Sequence, residues 1–175
     1  MRWLPFQLNP DLPPAGISRA DYIMRKFGER DSSRYKRVAL VGKSVGLDMA
    51  FDSIKVQPNT VKPHRLIHHA GELGKQDEVA EALFRAYFVE GANLTDSAVL
   101  ADYAAQAGLD REQTIAYLDS EADADLIRSA DQEARQVGIE GVPFFIINRT
   151  IGISGAQDPE VLLQAMEQAR AGKTP

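Results

Sequence analysis

Three groupings of residues could do chemistry on type and spacing alone. His64 and His68 stand four apart, the interval at which one helix face offers two imidazoles to a metal ion. Glu72 follows at the next such step and only extends the same row, so the pair reads as a solvated or packed helix face, with no metal. Gly42-Lys43-Ser44 has the ending of a phosphate-binding loop, but the motif's first glycine would fall at Arg37 and no strand precedes it. Ser154-Gly155 follows Gly152-Ile153 in the manner of a nucleophile elbow, yet the closing glycine would fall at Ala156. Cysteine is absent from all 175 residues. That excludes disulfides, thiolate metal sites and thiol catalysis by these residues.

Composition narrows the class further. The chain carries 20 basic and 25 acidic residues, a net charge of −5, with no basic stripe interleaved with aromatics. Nucleic acid is therefore not an expected partner, because phosphate neutralisation needs clustered Lys and Arg. A hydrophobic share of 44% is that of an ordinary globular protein. No apolar run nears the length of about 18 residues that a membrane-spanning helix requires, so no membrane partner is expected. Met1 to Phe6 has one positive charge but lacks the apolar core of a signal peptide. The expected location is the cytoplasm.

The elements that must position any site follow from periodicity. Arg2 to Leu8 reads as a short strand, edge or irregular because of Pro5. Asn9 to Gly16 holds three prolines and a glycine and reads as a stiff linker. A helical pattern then runs for over a hundred residues. Ser18 with Asp21 starts one helix, and Ser33 to Gly46 forms a second with Val38, Val41 and Val45 spaced for one buried face. Asp52 to Asn59 is extended. Further helices start near Thr60, at Gln76, after Asp96, after Asp110 and near Asp123, with Gly108 and Gly138 as terminators. Val79, Ala82, Leu83, Ala86 and Tyr87 mark the clearest amphipathic face. The period then changes. Pro143 to Asn148 reads as a buried strand, joined by a tight Asn148-Arg149 turn to a second at Thr150 to Ser154. Asp158-Pro159-Glu160 opens a last helix with Val161, Leu162, Ala165, Met166 and Ala169 on one face.

Several stretches, in this order, carry a family resemblance: Trp3-Leu4-Pro5-Phe6-Gln7-Leu8-Asn9-Pro10, Asn59-Thr60 with His64-Arg65-Leu66, Leu83 to Gly91, Gly141-Val142-Pro143-Phe144-Phe145, and Ser154-Gly155-Ala156-Gln157. Over essentially the whole chain the sequence resembles the DsbA-like thioredoxin superfamily, and within it the FrnE-type dithiol–disulfide isomerases. These are relatives of 2-hydroxychromene-2-carboxylate isomerase and kappa glutathione transferase. The resemblance implies an α/β, thioredoxin-like fold with a large all-helical insertion. Residues 1–17 and 139–175 would form the thioredoxin-like part, and 18–138 the insertion. Family members begin with a strand, a Cys-x-x-Cys motif and a helix ahead of the segment matching Trp3. That first strand–helix unit is absent here and is expected upstream of Met1, or replaced by a partner.

The resemblance also implies a site. In the family a thiolate attacks a substrate disulfide while a cis-proline loop holds the substrate chain. Here Gly141, Val142, Pro143 and Phe144 would be substrate-binding, with Val142 turned so that its backbone pairs with an extended peptide or a small thiol such as glutathione. No residue of this chain would be catalytic. The expectation is a thiol–disulfide oxidoreductase family protein that retains the docking loop but is redox-inactive alone. The alternatives are a glutathione-dependent isomerase of the chromene-carboxylate type and a non-catalytic peptide- or thiol-binding module. A homo-oligomer would then complete the sheet. No cofactor is expected, glutathione entering only as a ligand.

Overall fold

The computed structural model describes residues 1–28 and 33–172. A short strand β1 (Ile17–Ser18) leads directly into helix α1 (Arg19–Phe27), whose N-cap Ser18 accepts from the Asp21 amide at 3.4 Å. Helix α2 (Ser33–Ser44) follows, then a 3-10 turn at Phe51–Ser53 and strand β2 (Val56–Gln57), which pairs antiparallel with β1. The chain next builds a helical block: α3 (Val61–Glu72), α4 (Gln76–Phe88), α5 (Ser97–Gln106), α6 (Arg111–Asp119) and α7 (Ala124–Gln136). A hairpin of β3 (Phe144–Ile147) and β4 (Ile151–Ser154) and a final helix α8 (Pro159–Ala171) complete it. The architecture is thus α/β, with the helices inserted between the first strands and the hairpin.

The block forms because its helices carry both caps and stripes. Asp96 accepts from the Ala98 amide at 2.8 Å and Asp110 from the Gln113 amide at 2.8 Å, satisfying donors that the first turn leaves open. Leu66, Val79, Leu100 and Leu118 are sealed from water at the centre, each worth roughly 1.5–3 kcal/mol of transfer free energy. Arg65 is buried among them with no carboxylate paired to it among the described residues. Its guanidinium instead donates to the carbonyls of Tyr117, Leu118 and Ala122 at 2.7, 3.1 and 2.6 Å. A cation at the C-terminal end of α6 meets the negative end of the helix dipole there.

Three expectations are corrected. Residues 2–8 form no strand. Trp3, Phe6 and Gln7 instead meet side chains of the helical block: the Trp3 N–H donates to Gln76 Oε1 (3.0 Å) and the Trp3 carbonyl accepts from Gln76 Nε2 (3.2 Å). The Gln7 N–H donates to Asp131 Oδ1 at 2.7 Å, and the Gln7 carbonyl accepts from Arg135. The Phe6 carbonyl accepts from His64 Nε2 at 3.2 Å. With these partners no ladder is needed.

Nor do Val38, Val41 and Val45 of the α2 region face a core; Val41 is 61% exposed. The inward positions are Tyr35, Ala39 and Gly42, one face around, because the Tyr35 ring packs at a tilt against Phe51, centroids 5.0 Å apart, and buried Gly42 lets residues 47–49 approach. Gly42-Lys43-Ser44 is simply the last turn of this helix. Finally, β3 is half-buried, with Ile146 51% exposed, because it has one neighbouring strand and one covering helix rather than two layers. For the same reason Val161 and Met166 of the α8 stripe stay exposed, while Ala165 and Ala169 are buried.

The clamp on residues 3–7 has a pH signature. Loss of hydration on packing lowers the His64 pKa below 6.5, outweighing the Phe6 carbonyl and Asp131, which act the other way. The unfolded chain therefore binds a proton more readily than the folded one, and stability must fall as pH drops from about 6.5 toward the folded value. Urea midpoints between pH 7 and pH 5 should decline more steeply for the wild type than for His64→Gln, which keeps a donor near Nε2 but does not titrate. Parallel declines would rule out this origin.

Candidate functional site

The loop between α7 and β3 is set up by the way α7 ends. Gly138 takes φ 87°, and the Ile139 amide turns back to the Ala134 carbonyl at 3.0 Å. Buried Ile139 anchors the exit. Gly141, Val142 and Pro143 then cross the surface without regular structure, and the Val142–Pro143 peptide is cis. Val142 is 49% exposed. Neither its N–H nor its C=O meets a partner among the described residues.

The hairpin fixes which edge that loop addresses. Asn148 and Arg149 both adopt left-handed conformations (φ 53° and 62°) and the Thr150 amide closes the turn on the Ile147 carbonyl at 3.1 Å. Phe144 pairs with Ser154 and Ile147 with Ile151. The Pro143 carbonyl accepts from the Gly155 amide at 2.8 Å, which marks the next pair out as hydrogen-bonded. Bonded and non-bonded pairs alternate along an antiparallel ladder. Pro143, Phe145 and Ile147 therefore direct their main-chain groups toward β4. Phe144 and Ile146 direct theirs to the opposite edge, which has no strand beside it among the described residues. Gly152 lies under the Phe144 ring, where a Cβ would come within 3.0 Å of its Cζ. Ser154-Gly155-Ala156-Gln157 closes on itself through Gln157 Nε2 to the Ser154 carbonyl at 2.9 Å. That turn closes the end of β4.

The other candidates are placed elsewhere. His64 is turned toward Phe6, whereas His68 lies 3.9 Å from Glu72. His69 also reaches Glu72, at 3.4 Å, and stacks on Tyr117. The i and i+4 imidazoles are thus not brought to a common point, and no group of three metal-ligating side chains exists among the described residues. Tyr87 and Tyr103 are pushed up to about 12, chiefly by burial, and stay protonated at neutral pH. Sequence reasoning missed the roles of Gln7, Asp131 and Arg135. Its one available signal was Asp131 occupying a core position of α7, four residues beyond Ile127.

Comparison with known proteins bears on the whole chain. The family model of the DSBA-like thioredoxin domain matches residues 1–167. The uncharacterized protein YwbO of Bacillus subtilis is 26% identical over 178 residues, covering 99% of this chain and 84% of that protein. The crystal structure of a probable DsbA oxidoreductase from Streptomyces coelicolor superposes with a TM-score of 0.87 at 31% identity, over 97% of this chain and 75% of that one. No helix among the described residues is long and apolar enough to cross a membrane.

The alternation of bonded pairs gives a direct check. Amide hydrogen exchange should find the Phe145 and Ile147 amides protected, and those of Val142, Phe144 and Ile146 fast. Equal protection along β3 would show that its outer edge is covered.

Proposed function

We propose, since the chain belongs to the DSBA-like thioredoxin domain family, that it works as a substrate-docking protein of the thiol–disulfide oxidoreductase type, on the FrnE-type branch and in the cytoplasm. The observation that carries this reading is the unpartnered Val142 backbone, continuous with the open edge of β3. An extended peptide laid along that edge would gain main-chain hydrogen bonds from Val142, Phe144 and Ile146, as in strand addition. Gly141 gives the backbone close access, and Phe144, held over Gly152, faces the side chains of whatever docks. A small thiol carrying peptide groups, such as glutathione, offers the same donors and acceptors.

Docking is then separated from chemistry. Thiol–disulfide exchange needs a thiolate, and these 175 residues hold no cysteine. They supply binding and orientation only. Two measurements test the pair of statements. The purified 175-residue chain should reduce insulin no faster than buffer. Glutathione disulfide or an extended peptide should shift the Val142, Phe144 and Ile146 amide resonances saturably. Turnover above background would overturn the first, and silent resonances the second.

A non-catalytic oligomer is the second reading, favoured by the exposed apolar residues Ile146, Leu163 and Met166 on the hairpin–α8 unit. In it, another copy lies along the β3 edge and completes the sheet. Molecular mass in solution decides: this reading expects a dimer or larger, and a strictly monomeric, well-folded chain sinks it.

A further inference from the structure

The segment ahead of the proline-rich stretch is held in a way that a second copy can reproduce. No main-chain to main-chain hydrogen bond joins residues 1–8 to the other described residues. Their polar contacts run instead to side chains of three helices. Gln76 of α4 brackets the peptide groups of Trp3, Asp77 takes the indole N–H at 2.6 Å, and the Trp3 ring lies 5.9 Å from that of Phe84. His64 of α3 meets the Phe6 carbonyl, while Asp131 and Arg135 of α7 take both main-chain groups of Gln7. Phe6 itself is buried, with the Arg135 guanidinium over its ring. The three helices thus form a groove that reads an extended backbone, as peptide-binding surfaces do. It accepts the same residues whichever copy supplies them.

The stretch that follows has the build of a hinge. Asn9 to Gly16 contains three prolines, and Pro10, Asp11, Pro13, Pro14 and Ala15 are exposed. A bond from Asn59 Nδ2 to the Leu12 carbonyl, at 2.7 Å, ties it to the helical block. Its own main-chain bonds are local, Leu12 to Asn9 and Gly16 to Pro13. Beneath it lies a cavity of about 790 Å³ lined by charged side chains of both signs, so the stretch spans a space instead of packing on a core. Gly16 fixes its far end, with φ 71° and so close to the Gln57 carbonyl that a Cβ would come within 2.5 Å of it. Eight residues of extended proline-rich chain reach about 25 Å, more than two helix diameters.

We infer that residues 1–8 exchange between two copies of this chain, each Trp3–Gln7 segment seated in the other's α3–α4–α7 groove to give a closed, two-fold dimer. The contacts in each groove are those of the monomer, so the exchange costs only the opening of the hinge and the loss of independent motion. What offsets that cost lies at the crossing. Leu8 is 60% exposed at the junction of segment and hinge, where the two connections pass each other about the two-fold axis. Leu8 of each copy covers the other there, an apolar contact that the monomer lacks. The occupant is the segment already shown to fit the groove, and the exchange stands whether or not the β3 edge binds peptides.

The test mixes isotope-labelled and unlabelled full-length chain in equal amounts, warms the mixture at high concentration, cools it and separates it by size. NOEs between labelled and unlabelled copies are then collected on the dimer. The Trp3 indole protons of one copy should contact the Phe84 ring of the other. Leu8→Ser changes an exposed side chain, so it should melt with the wild type while its dimer associates several-fold more weakly. A chain that stays monomeric throughout overturns the exchange. A dimer whose Trp3–Phe84 contacts remain within each copy overturns it too, and cross-copy contacts at the β3 amides would then assign that dimer to strand addition. Unchanged association of Leu8→Ser overturns the crossing contact that drives the exchange. Should that variant fail to fold, the wild-type NOEs decide alone.

Discussion

The structure depends on how the main-chain groups of Trp3, Phe6 and Gln7 are paired without a sheet. An extended segment laid on a protein must pair its N–H and C=O groups or lose their hydration. Here helices do the pairing, with side chains. Gln76 uses both ends of its amide on both polar groups of Trp3, in the manner of a neighbouring strand. Asp131 and Arg135 do the same for Gln7, and His64 serves Phe6 between them. The partners come from α4, α7 and α3, so one short segment ties three helices together. Removing a partner would leave a buried group unpaired, which costs more than the bond itself contributes.

That solution brings charge inside. Asp131 is 3% exposed and would be expensive alone; it is tolerated because it accepts from both the Gln7 amide and Arg135. The Arg135 guanidinium also lies 4.5 Å over the Phe6 ring, adding a cation–π contact where the carbonyls already converge. Two residues on, the chain enters its proline-rich stretch and leaves the helices, and the space it leaves is the charged cavity. Clamp and cavity are therefore two sides of one arrangement. Asp131 and Arg135, which fix Gln7, also line that opening.

Much of this was legible in the sequence and some was not, for definable reasons. Local chemistry read well: Ser18, Asp96 and Asp110 cap the helices they were expected to cap, and Asn148-Arg149 makes the expected turn. Each of these signals is contained within a few residues. The misreadings all concern partners distant in sequence. Trp3 to Leu8 has the apolar content of a strand, but strand or not depends on what lies alongside, and that turned out to be Gln76 and Asp131. The spacing of Val38, Val41 and Val45 gives the period of α2 correctly. It does not say which face wins, and Tyr35 decides that by packing against Phe51. For the loop, the residues Gly141 to Phe144 could be picked out, but the orientation of the β3 edge needed the register with β4.

The contrast between the two ends of the molecule bears on function. The helical block has capped helices, a sealed apolar centre and side-chain clamps reaching from residue 3 to residue 135. The hairpin and α8 bury little beyond Ala165 and Ala169, and Asn148 Nδ2 touches the Ala169 carbonyl only at 3.5 Å. Proteins ordinarily blunt an open strand edge with charge, proline or a covering element. Here the one proline, Pro143, sits where its missing N–H falls on the β4 side, so it leaves the outer edge unblocked. The residues of β3 itself are Phe, Phe, Ile and Ile, with no charge among them. An edge with neither device stays open to a strand-like occupant. The turn chemistry of Asn148-Arg149 and the Gly155 bond to Pro143 hold that edge in a defined register, which a backbone receptor requires and a merely exposed loop lacks.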